Sequence, residues 1–152
     1  MKVQEYLAGK NVEFDVIPHR DTYDAQRMAE AVHVSGKEVA KTVLLRADHA
    51  FKYILAVLPA NKSIDLERAA AVLGGSQLEL ATESDVATHC PDCEVGALPP
   101  FGSQYDMETI VDESLAADDE IVFEGNTHHE AIRMKFADFR KIESPLIASF
   151  AR

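Results

Sequence analysis

Apolar and polar positions follow two different periods along this chain, and each period predicts one kind of secondary structure. Val3, Tyr6 and Leu7 are spaced as on one face of a helix, which predicts a first helix over 2–10. From 12 to 16, apolar residues alternate with acidic ones, which predicts a short, half-buried strand. The chain therefore begins with a helix followed by a strand.

The remaining elements lack a regular strand–helix–strand rhythm, which favours an α/β or α+β fold with a mixed sheet. The further helices are predicted over 22–34, beginning at Thr22 or Asp24, over 63–73, capped by Ser63, and over 82–89 and 137–142. The further strands are predicted over 41–46, 51–58, 78–80, 107–111, 120–123 and 131–136. The polar connection 47–50 between two strands is typical of a β-hairpin. With 152 residues and no repeat or linker, we expect a single domain over 1–152.

The net charge of the chain limits the classes of partner that it can bind. Fifteen Lys and Arg residues oppose 26 Asp and Glu residues, which gives a net charge of -11. Non-specific binding to duplex DNA depends on Lys and Arg side chains that neutralise phosphates, so this composition argues against duplex DNA as a partner. A nucleic acid that contacts the protein over only a small area remains compatible with this composition.

No stretch of the sequence indicates export or a membrane. The longest apolar-rich stretch, 53–58, falls far short of the roughly 20 residues that cross a bilayer, and the N-terminus lacks the apolar run of a signal peptide. Cys90 and Cys93 are too few for a disulfide framework. We therefore expect a cytoplasmic protein with reduced thiols.

A lysine and a glycine–proline loop are the first candidates for chemistry. Lys41 opens a predicted strand that is apolar on both faces in its middle, so its ammonium either extends to solvent or forms a fixed charge in a cleft. In the loop 95–102, Gly96 and Gly102 bracket two prolines. Glycine permits close backbone approach and proline fixes φ, so the loop either presents amides to a ligand carbonyl or forms a rigid structural turn.

Two histidines and two cysteines are further candidates. Counting back by twos from the predicted strand 131–136 places His128 on its apolar side and His129 on the other, and either histidine could belong to a site. Cys90 and Cys93 would need further ligands for zinc, and no second pair of cysteines exists. We therefore expect no metal and no cofactor, with a thiol or zinc protein as the weakest hypothesis.

Three stretches, taken together, resemble the YbaK/prolyl-tRNA-editing family of aminoacyl-tRNA deacylases, and in particular its free-standing members. They are VAKTVLLR, which contains Lys41, CEVGALPPFG, and NTHHEAIRMKFADF. In the second stretch, Gly96-x-x-x-Pro100 followed by Gly102 is similar to the family's G-x-x-x-P loop. The order of the three stretches also matches, so the resemblance covers nearly the whole chain.

The resemblance implies a mixed, strongly curved β-sheet surrounded by helices, and an activity in trans. That activity is hydrolysis of the ester that joins a wrong amino acid to the terminal ribose of a tRNA. By resemblance, Lys41 holds the terminal nucleotide or carbonyl region, Gly96 and the following amides bind the aminoacyl carbonyl, and His128 lies near the amino-acid pocket. The implied partners are the acceptor end of a mischarged tRNA and a synthetase that presents it. The candidate substrate-binding residues are Tyr23, Met28, Ala97, Leu98, Pro100, Phe101 and Gly102.

A non-catalytic module of the same fold, which binds a nucleotide or an acceptor end, is the alternative. The presence of Lys41, the loop and His128 in one chain favours the deacylase over this module.

Overall fold

The computed structural model describes residues 2–19, 39–48, 52–94 and 96–152, and these residues form a mixed α+β fold, which confirms the predicted fold class. The helices are α1 (Val3–Gly9), α2 (Leu66–Val72), α3 (Glu83–His89), α4 (Glu113–Ala116) and α5 (Phe136–Glu143), with a 3-10 turn at Gly102–Tyr105. The strands are β1 (Phe14–Pro18), β2 (Ala40–Ala47), β3 (Lys52–Pro59), β4 (Leu78–Leu80), β5 (Glu108–Asp112), β6 (Glu120–Glu124), β7 (Glu130–Lys135) and β8 (Leu146–Ala148). Within the described ranges, no helix has the length and apolar character that a membrane span requires.

The described strands form two sheets that meet at one point. The first sheet has the order β1-β7-β6 and is antiparallel. The second has the order β4-β2-β3-β5-β8 and is mixed, because β5 runs parallel to both β3 and β8. Strands β2 and β3 form the predicted hairpin. A parallel bridge between Val39 and Val122 connects the start of β2 to β6, so the two sheets are joined at this point.

Four apolar clusters of described residues hold these elements together, and one of them packs Leu44 of β2 against Leu98. The main cluster packs α1 and α5 against β6 and β7, and its large buried side chains include Leu7, Phe101, Phe123, Ile132 and Phe139. A second cluster lies between α2 and the five-stranded sheet and includes Leu45, Ile54, Leu58, Ala69 and Phe150. The third is small and lies where the two sheets meet, with Val39, Ala60, Val122 and Ala131 buried in it. Each fully buried Phe, Leu or Ile side chain contributes about 1.5–3 kcal/mol by leaving water.

Two signals in the sequence define the ends of helices as predicted. Helix α2 stops at Gly74 and Gly75, whose φ angles are +79° and +88°. The Gly75 N–H donates to the Ala70 oxygen at 2.8 Å, which closes the hydrogen-bond pattern of a glycine-terminated helix. Helix α3 begins after Thr82, whose hydroxyl accepts the Asp85 N–H at 3.1 Å while the Asp85 carboxylate accepts the Thr82 N–H at 2.9 Å.

The predicted beginning of α2 is wrong. Asp65, and not Ser63, caps the helix by accepting two backbone N–H groups of its first turn at 3.1 Å each. Ser63 instead exchanges backbone hydrogen bonds with Arg152 at 2.9 and 2.8 Å, and the Asp65 N–H donates to the Phe150 oxygen at 2.8 Å. This pairing with the last residues of the chain keeps 63–65 extended, so the helix starts later than its sequence predicts.

Strand β1 and two short elements also differ from the prediction. Strand β1 lies two residues further along the chain than predicted and includes Pro18, which pairs with Glu130 of β7. Because β1 is an edge strand, the missing N–H of a proline breaks no ladder. The sequence analysis did not predict helix α4 and strand β8. The predicted helix over 22–34 lies outside the described residues.

Gly102 makes a close backbone approach that leaves no room for a side chain. A Cβ at this position would lie 2.5 Å from Thr109 Oγ1 and 2.7 Å from the Met107 oxygen. We therefore expect Gly102→Ala to lower the free energy of unfolding by about 1–3 kcal/mol, because buried neighbours must move. Urea denaturation of the variant and the wild type measures this difference.

Gly9→Ala is the matched control. Gly9 ends α1, and nothing lies within 4 Å of a Cβ built there, so we expect a free energy of unfolding that is unchanged or raised by up to about 1 kcal/mol. Equal losses in the two variants would contradict the steric explanation.

Candidate functional site

A buried asparagine, Asn126, connects three separate segments at one end of β6 and β7. Asn126 is fully buried and has a φ of +75°, a left-handed conformation that asparagine tolerates better than most residues. Its Oδ1 accepts the Val3 N–H at 2.8 Å, and its main-chain oxygen accepts the Glu94 N–H at 2.8 Å. Its Nδ2 donates to Cys93 Sγ at 3.2 Å. The start of α1 and the loop after α3 are thereby held against the turn between β6 and β7.

The loop 93–102 contains a sharp turn at Gly96. The Ala97 N–H donates to the Glu94 oxygen at 3.0 Å, and the φ of Gly96 is +85°. Glycine suits the third position of such a turn, because other side chains are strained at this φ. Gly96 is exposed, whereas all residues from 97 to 102 are buried.

The buried part of the loop belongs to the interior of the protein. Leu98 packs in a cluster with Leu44 of β2, and Ala97 is fully buried. The Phe101 ring lies in the main core, with its centroid 5.3 Å from that of Phe139. Pro100 is buried between these positions. These side chains hold the loop in place and do not line an open surface.

The backbone amides of the loop differ in what they contact. The Ala97 N–H is engaged by Glu94 in the turn, and the Gly102 N–H donates to Thr109 Oγ1 at 2.9 Å. The Gly96 N–H donates to no acceptor among the described residues. Gly96 is therefore the exposed position at which the loop can offer a backbone donor to a ligand.

His128 and His129 differ sharply in their surroundings. His128 is 7% exposed, and its main-chain N–H donates to Glu94 Oε2 at 3.1 Å. The side chain of His129 is 54% exposed, and its Nε2 lies 3.8 Å from Glu94 Oε1. Glu94 thus joins the loop that carries Gly96 to both histidines, and His128 is the one that faces inward.

A buried carboxyl group, which the sequence analysis did not single out, lies beside His128. Glu124 is 4% exposed, with Oε1 4.0 Å from His128 Nδ1 and Oε2 3.6 Å from His19 Nε2. Burial, and then the nearby charge of Glu94, raise the pKa of Glu124 to about 8. The signal for Glu124 was present in the sequence, because it follows the inward-facing Val122 by two residues. Strand β6 had been predicted to end one residue earlier.

Lys41 lies on β2 opposite Leu58 of β3 and is partly buried. It follows Val39 by two residues, just as Glu124 follows Val122 by two, and Val39 and Val122 form the bridge between the sheets. Lys41 and Glu124 therefore lie at the same level of neighbouring strands. The charge at the start of β2 and the histidine cluster at the end of β6 belong to the same region of the fold.

Lys41 and the loop reach this region from different sides. Leu98 packs with Leu44, and residues 41 and 44 point to opposite faces of β2 because side chains alternate along a strand. His128, by contrast, is tied to the loop directly through Glu94. Two further candidates, Tyr23 and Met28, lie outside the described residues.

The two cysteines lie near this site, Cys90 in the interior and Cys93 half-buried. Cys90 is fully buried, and burial together with neighbouring Cys93 and Asp92 raises the pKa of its thiol to about 12. Cys93 Sγ lies 3.2 Å from Tyr105 Oη, and burial also raises the pKa of this thiol. In the part of the chain that the structure describes, no three His, Cys, Asp or Glu side chains are grouped to hold a metal ion.

A family model described as the aminoacyl-tRNA editing domain matches residues 19–142. This range contains Lys41, the loop 93–102 and His128. Among characterised proteins, the proline--tRNA ligase of Bacillus cytotoxicus is 26% identical over 92 residues, which is 60% of this chain and 16% of the ligase. The chain therefore corresponds to a minor part of the length of that ligase.

Solved structures share the fold over almost the whole chain. The crystal structure of hypothetical protein APE2540 has a TM-score of 0.89 at 18% identity and covers 99% of both chains. That of "a putative trans-editing enzyme for prolyl tRNA synthetase" has a TM-score of 0.87 at 20% identity and covers 99% of this chain and 94% of its own. At these identities, the likeness establishes the fold.

Replacing Asn126 tests how much the site depends on it. We expect Asn126→Ala to lower the free energy of unfolding by about 3 kcal/mol, because left-handed strain of roughly 1–2 kcal/mol adds to a buried N–H that loses its acceptor. Asn11→Ala is the control, since Asn11 also has a positive φ, +56°, but is exposed. Urea denaturation should give a loss of about 1 kcal/mol there. Equal losses would mean that the hydrogen bonds of Asn126 contribute nothing beyond its conformation.

The Cys90 thiol is expected to resist alkylation in the folded protein. A pKa of about 12 in place of 9.0 lowers the thiolate fraction near neutral pH about 10³-fold, and the thiolate is the reactive form. Iodoacetamide labelling followed by mass spectrometry should modify Cys90 only after denaturation. Rapid labelling of Cys90 in the native protein would show that it is accessible and ionised.

Proposed function

The chain belongs to the aminoacyl-tRNA editing domain family, and from this premise we propose that it is a trans-acting deacylase of mischarged tRNA. The reaction is hydrolysis of the ester that joins an amino acid to the terminal ribose. The observation that supports this most is that the family match includes Lys41, the Gly96 loop and His128, two of which are linked through Glu94. The proposed partner is the acceptor end of the tRNA.

The proposed chemistry needs no covalent nucleophile, because an aminoacyl ester is already activated. Water attacks the carbonyl carbon, and the negative charge that develops on the carbonyl oxygen needs a donor. The exposed N–H of Gly96 is the proposed donor, and one preorganised donor is worth roughly 2.7–4 kcal/mol of barrier. The rigid loop behind Gly96, buried from 97 to 102, keeps that donor in place.

Lys41 is proposed to bind the acceptor end by its charge. Its ammonium group is compact and carries three donors, which suits a phosphate or carbonyl oxygen of the terminal nucleotide. The chain has a net charge of -11, so a local positive group is needed wherever the RNA backbone approaches. This restricts the proposed contact to a small part of the tRNA.

His128 is proposed to contact the amino acid or the attacking water. A neutral imidazole both donates and accepts a hydrogen bond, so the ring can orient a water molecule or an α-amino group. Its small exposed fraction leaves only a small part of the residue accessible to a ligand. His129, which is largely exposed, is the natural control position.

The first substrates to test are tRNAs for proline, because the ligase that resembles this chain is a proline--tRNA ligase. We expect the purified protein to release at least one wrongly attached small or medium-sized amino acid faster than buffer alone does. The measurement is loss of labelled amino acid across a panel of mischarged tRNAs. Decay at the buffer rate throughout the panel, with retained tRNA binding, would favour the non-catalytic module.

Lys41→Ala should lower the rate of deacylation about 10²-fold or more while the melting temperature is unchanged, a loss of roughly 2.7 kcal/mol in barrier. Lys41→Arg should also lower the rate of deacylation, because a planar guanidinium does not replace a compact ammonium in a shaped cleft. Lys52→Ala and Lys62→Ala remove the same side chain elsewhere and are the controls. Lys52 forms an exposed ion pair with Glu108, and Lys62 lies in a turn, so both variants should stay active. Full activity of both Lys41 variants would show that Lys41 is not part of the site.

A further inference from the structure

Glu124 occupies an unusual position between two histidines that are far apart in the sequence. The side chains of Glu124 and His19 are 5% and 1% exposed, and that of His128 is 9% exposed. The carboxylate oxygens lie 3.6 Å from His19 Nε2 and 4.0 Å from His128 Nδ1. Neither oxygen accepts a hydrogen bond from a described residue. These distances are too long for hydrogen bonds but short enough for charges to interact.

The orientation of His128 follows from this contact. Its Nδ1 is buried and faces Glu124, so the small exposed part of the ring lies elsewhere, on the edge that includes Nε2 or the ring carbons. Its main chain is fixed by the hydrogen bond to Glu94. Rotation about the side-chain bonds decides which edge of the ring faces Glu124, the buried acidic group beside Nδ1.

We propose that Glu124 is a positioning residue that sets both the orientation of His128 and the location of its ring proton. The consequence for catalysis rests on the proposed deacylase function, whereas the effect on His128 does not. When Glu124 is ionised, His128 carries its proton on Nδ1, facing the carboxylate, and Nε2 is left as an acceptor. When Glu124 is protonated, its O–H faces Nδ1, and the ring proton sits on Nε2, which becomes a donor.

The sign of the pH dependence follows from the groups around Glu124. Glu94 on the loop opposes its ionisation, and burial does so more strongly, so Glu124 stays protonated until the pH reaches about 8. His19 from the end of β1 and His128 favour the ionised form when they are charged. Lys41 lies at the same level on β2. As Glu124 loses its proton with rising pH, we therefore expect His128 Nε2 to change from donor to acceptor.

The decisive experiment is side-chain NMR of the free protein, which needs no substrate. In long-range proton–nitrogen spectra, we expect the imidazole nitrogen signals of His128 and His19 to show a step where the carboxyl group of Glu124 ionises, near pH 8. This step should be absent in Glu124→Gln, and exposed His129 should not show it in either protein. Glu94→Gln is the matched control, because it removes the opposing charge and should move the step to lower pH without abolishing it.

A persistent step in Glu124→Gln, or unchanged His128 signals in that variant, would overturn the proposal. If the variant does not fold, the wild type decides the question by itself. The carboxyl carbon of Glu124 must then titrate with the same midpoint as the nitrogens of His128, and different midpoints refute the proposal.

Kinetics of deacylation supply a second, separable test. We expect the wild-type kcat, corrected for uncatalysed hydrolysis, to rise as Glu124 ionises near pH 8, because His128 Nε2 then accepts a hydrogen bond from the attacking water. Glu124→Gln should remove this rise and lower kcat about 10- to 10²-fold with little change in KM. Adding His128→Ala to Glu124→Gln should cause no further loss beyond His128→Ala alone, because one residue acts through the other. A wild type that is inactive on every tRNA would refute the proposed function, and the NMR result would still decide the role of Glu124.

Discussion

The hydrogen bonds of Asn126 fix the loop and the histidine segment of the candidate site relative to each other. Its side chain and main chain hold the start of α1, the loop after α3 and the turn between β6 and β7 in one place. A left-handed residue at this turn directs the chain so that His128 faces the interior. Because Glu94 is held by the same asparagine, the loop with Gly96 and the two histidines share one reference point. A rigid scaffold of this kind is what a site that orients water requires.

The cluster around Glu124 lowers the stability of the protein locally, within an otherwise apolar core. Burial of a carboxyl group without a hydrogen-bond donor costs free energy, which its raised pKa reflects. The neighbouring apolar clusters, with side chains such as Phe123 and Ile132 fully buried, are extensive enough to offset that cost. Buried polar groups that weaken a fold are typical of functional sites, which is how Glu124 differs from the exposed acidic residues elsewhere on the chain.

The local parts of this structure are readable from the sequence, and the parts made by distant contacts are not. Thr82 and Gly74–Gly75 define helix ends because the hydrogen bonds involved lie within a few residues. Serine is a favoured N-cap residue, but Ser63 pairs with Arg152 instead of capping the helix. Neither segment by itself predicts this contact. Phe101 is a candidate substrate-binding residue by resemblance, and its burial in the core depends on helices more than thirty residues away. The contact between His19 and Glu124 is equally invisible before the strands are paired.

The pairing of 63–65 with the last residues of the chain has a consequence for how the protein folds. Phe150 and Ala151 also donate their N–H groups to Asp112 at 3.0 and 2.9 Å, and Ile64 forms a bridge with Ala151. In helix α1, the Val3 N–H donates to the side chain of the distant Asn126. Because segments this far apart in the sequence must meet before these contacts form, we expect the contacts to form late in folding. During synthesis on a ribosome, the second cluster stays open until residues 150–152 have emerged, and the nascent chain exposes apolar surface until then.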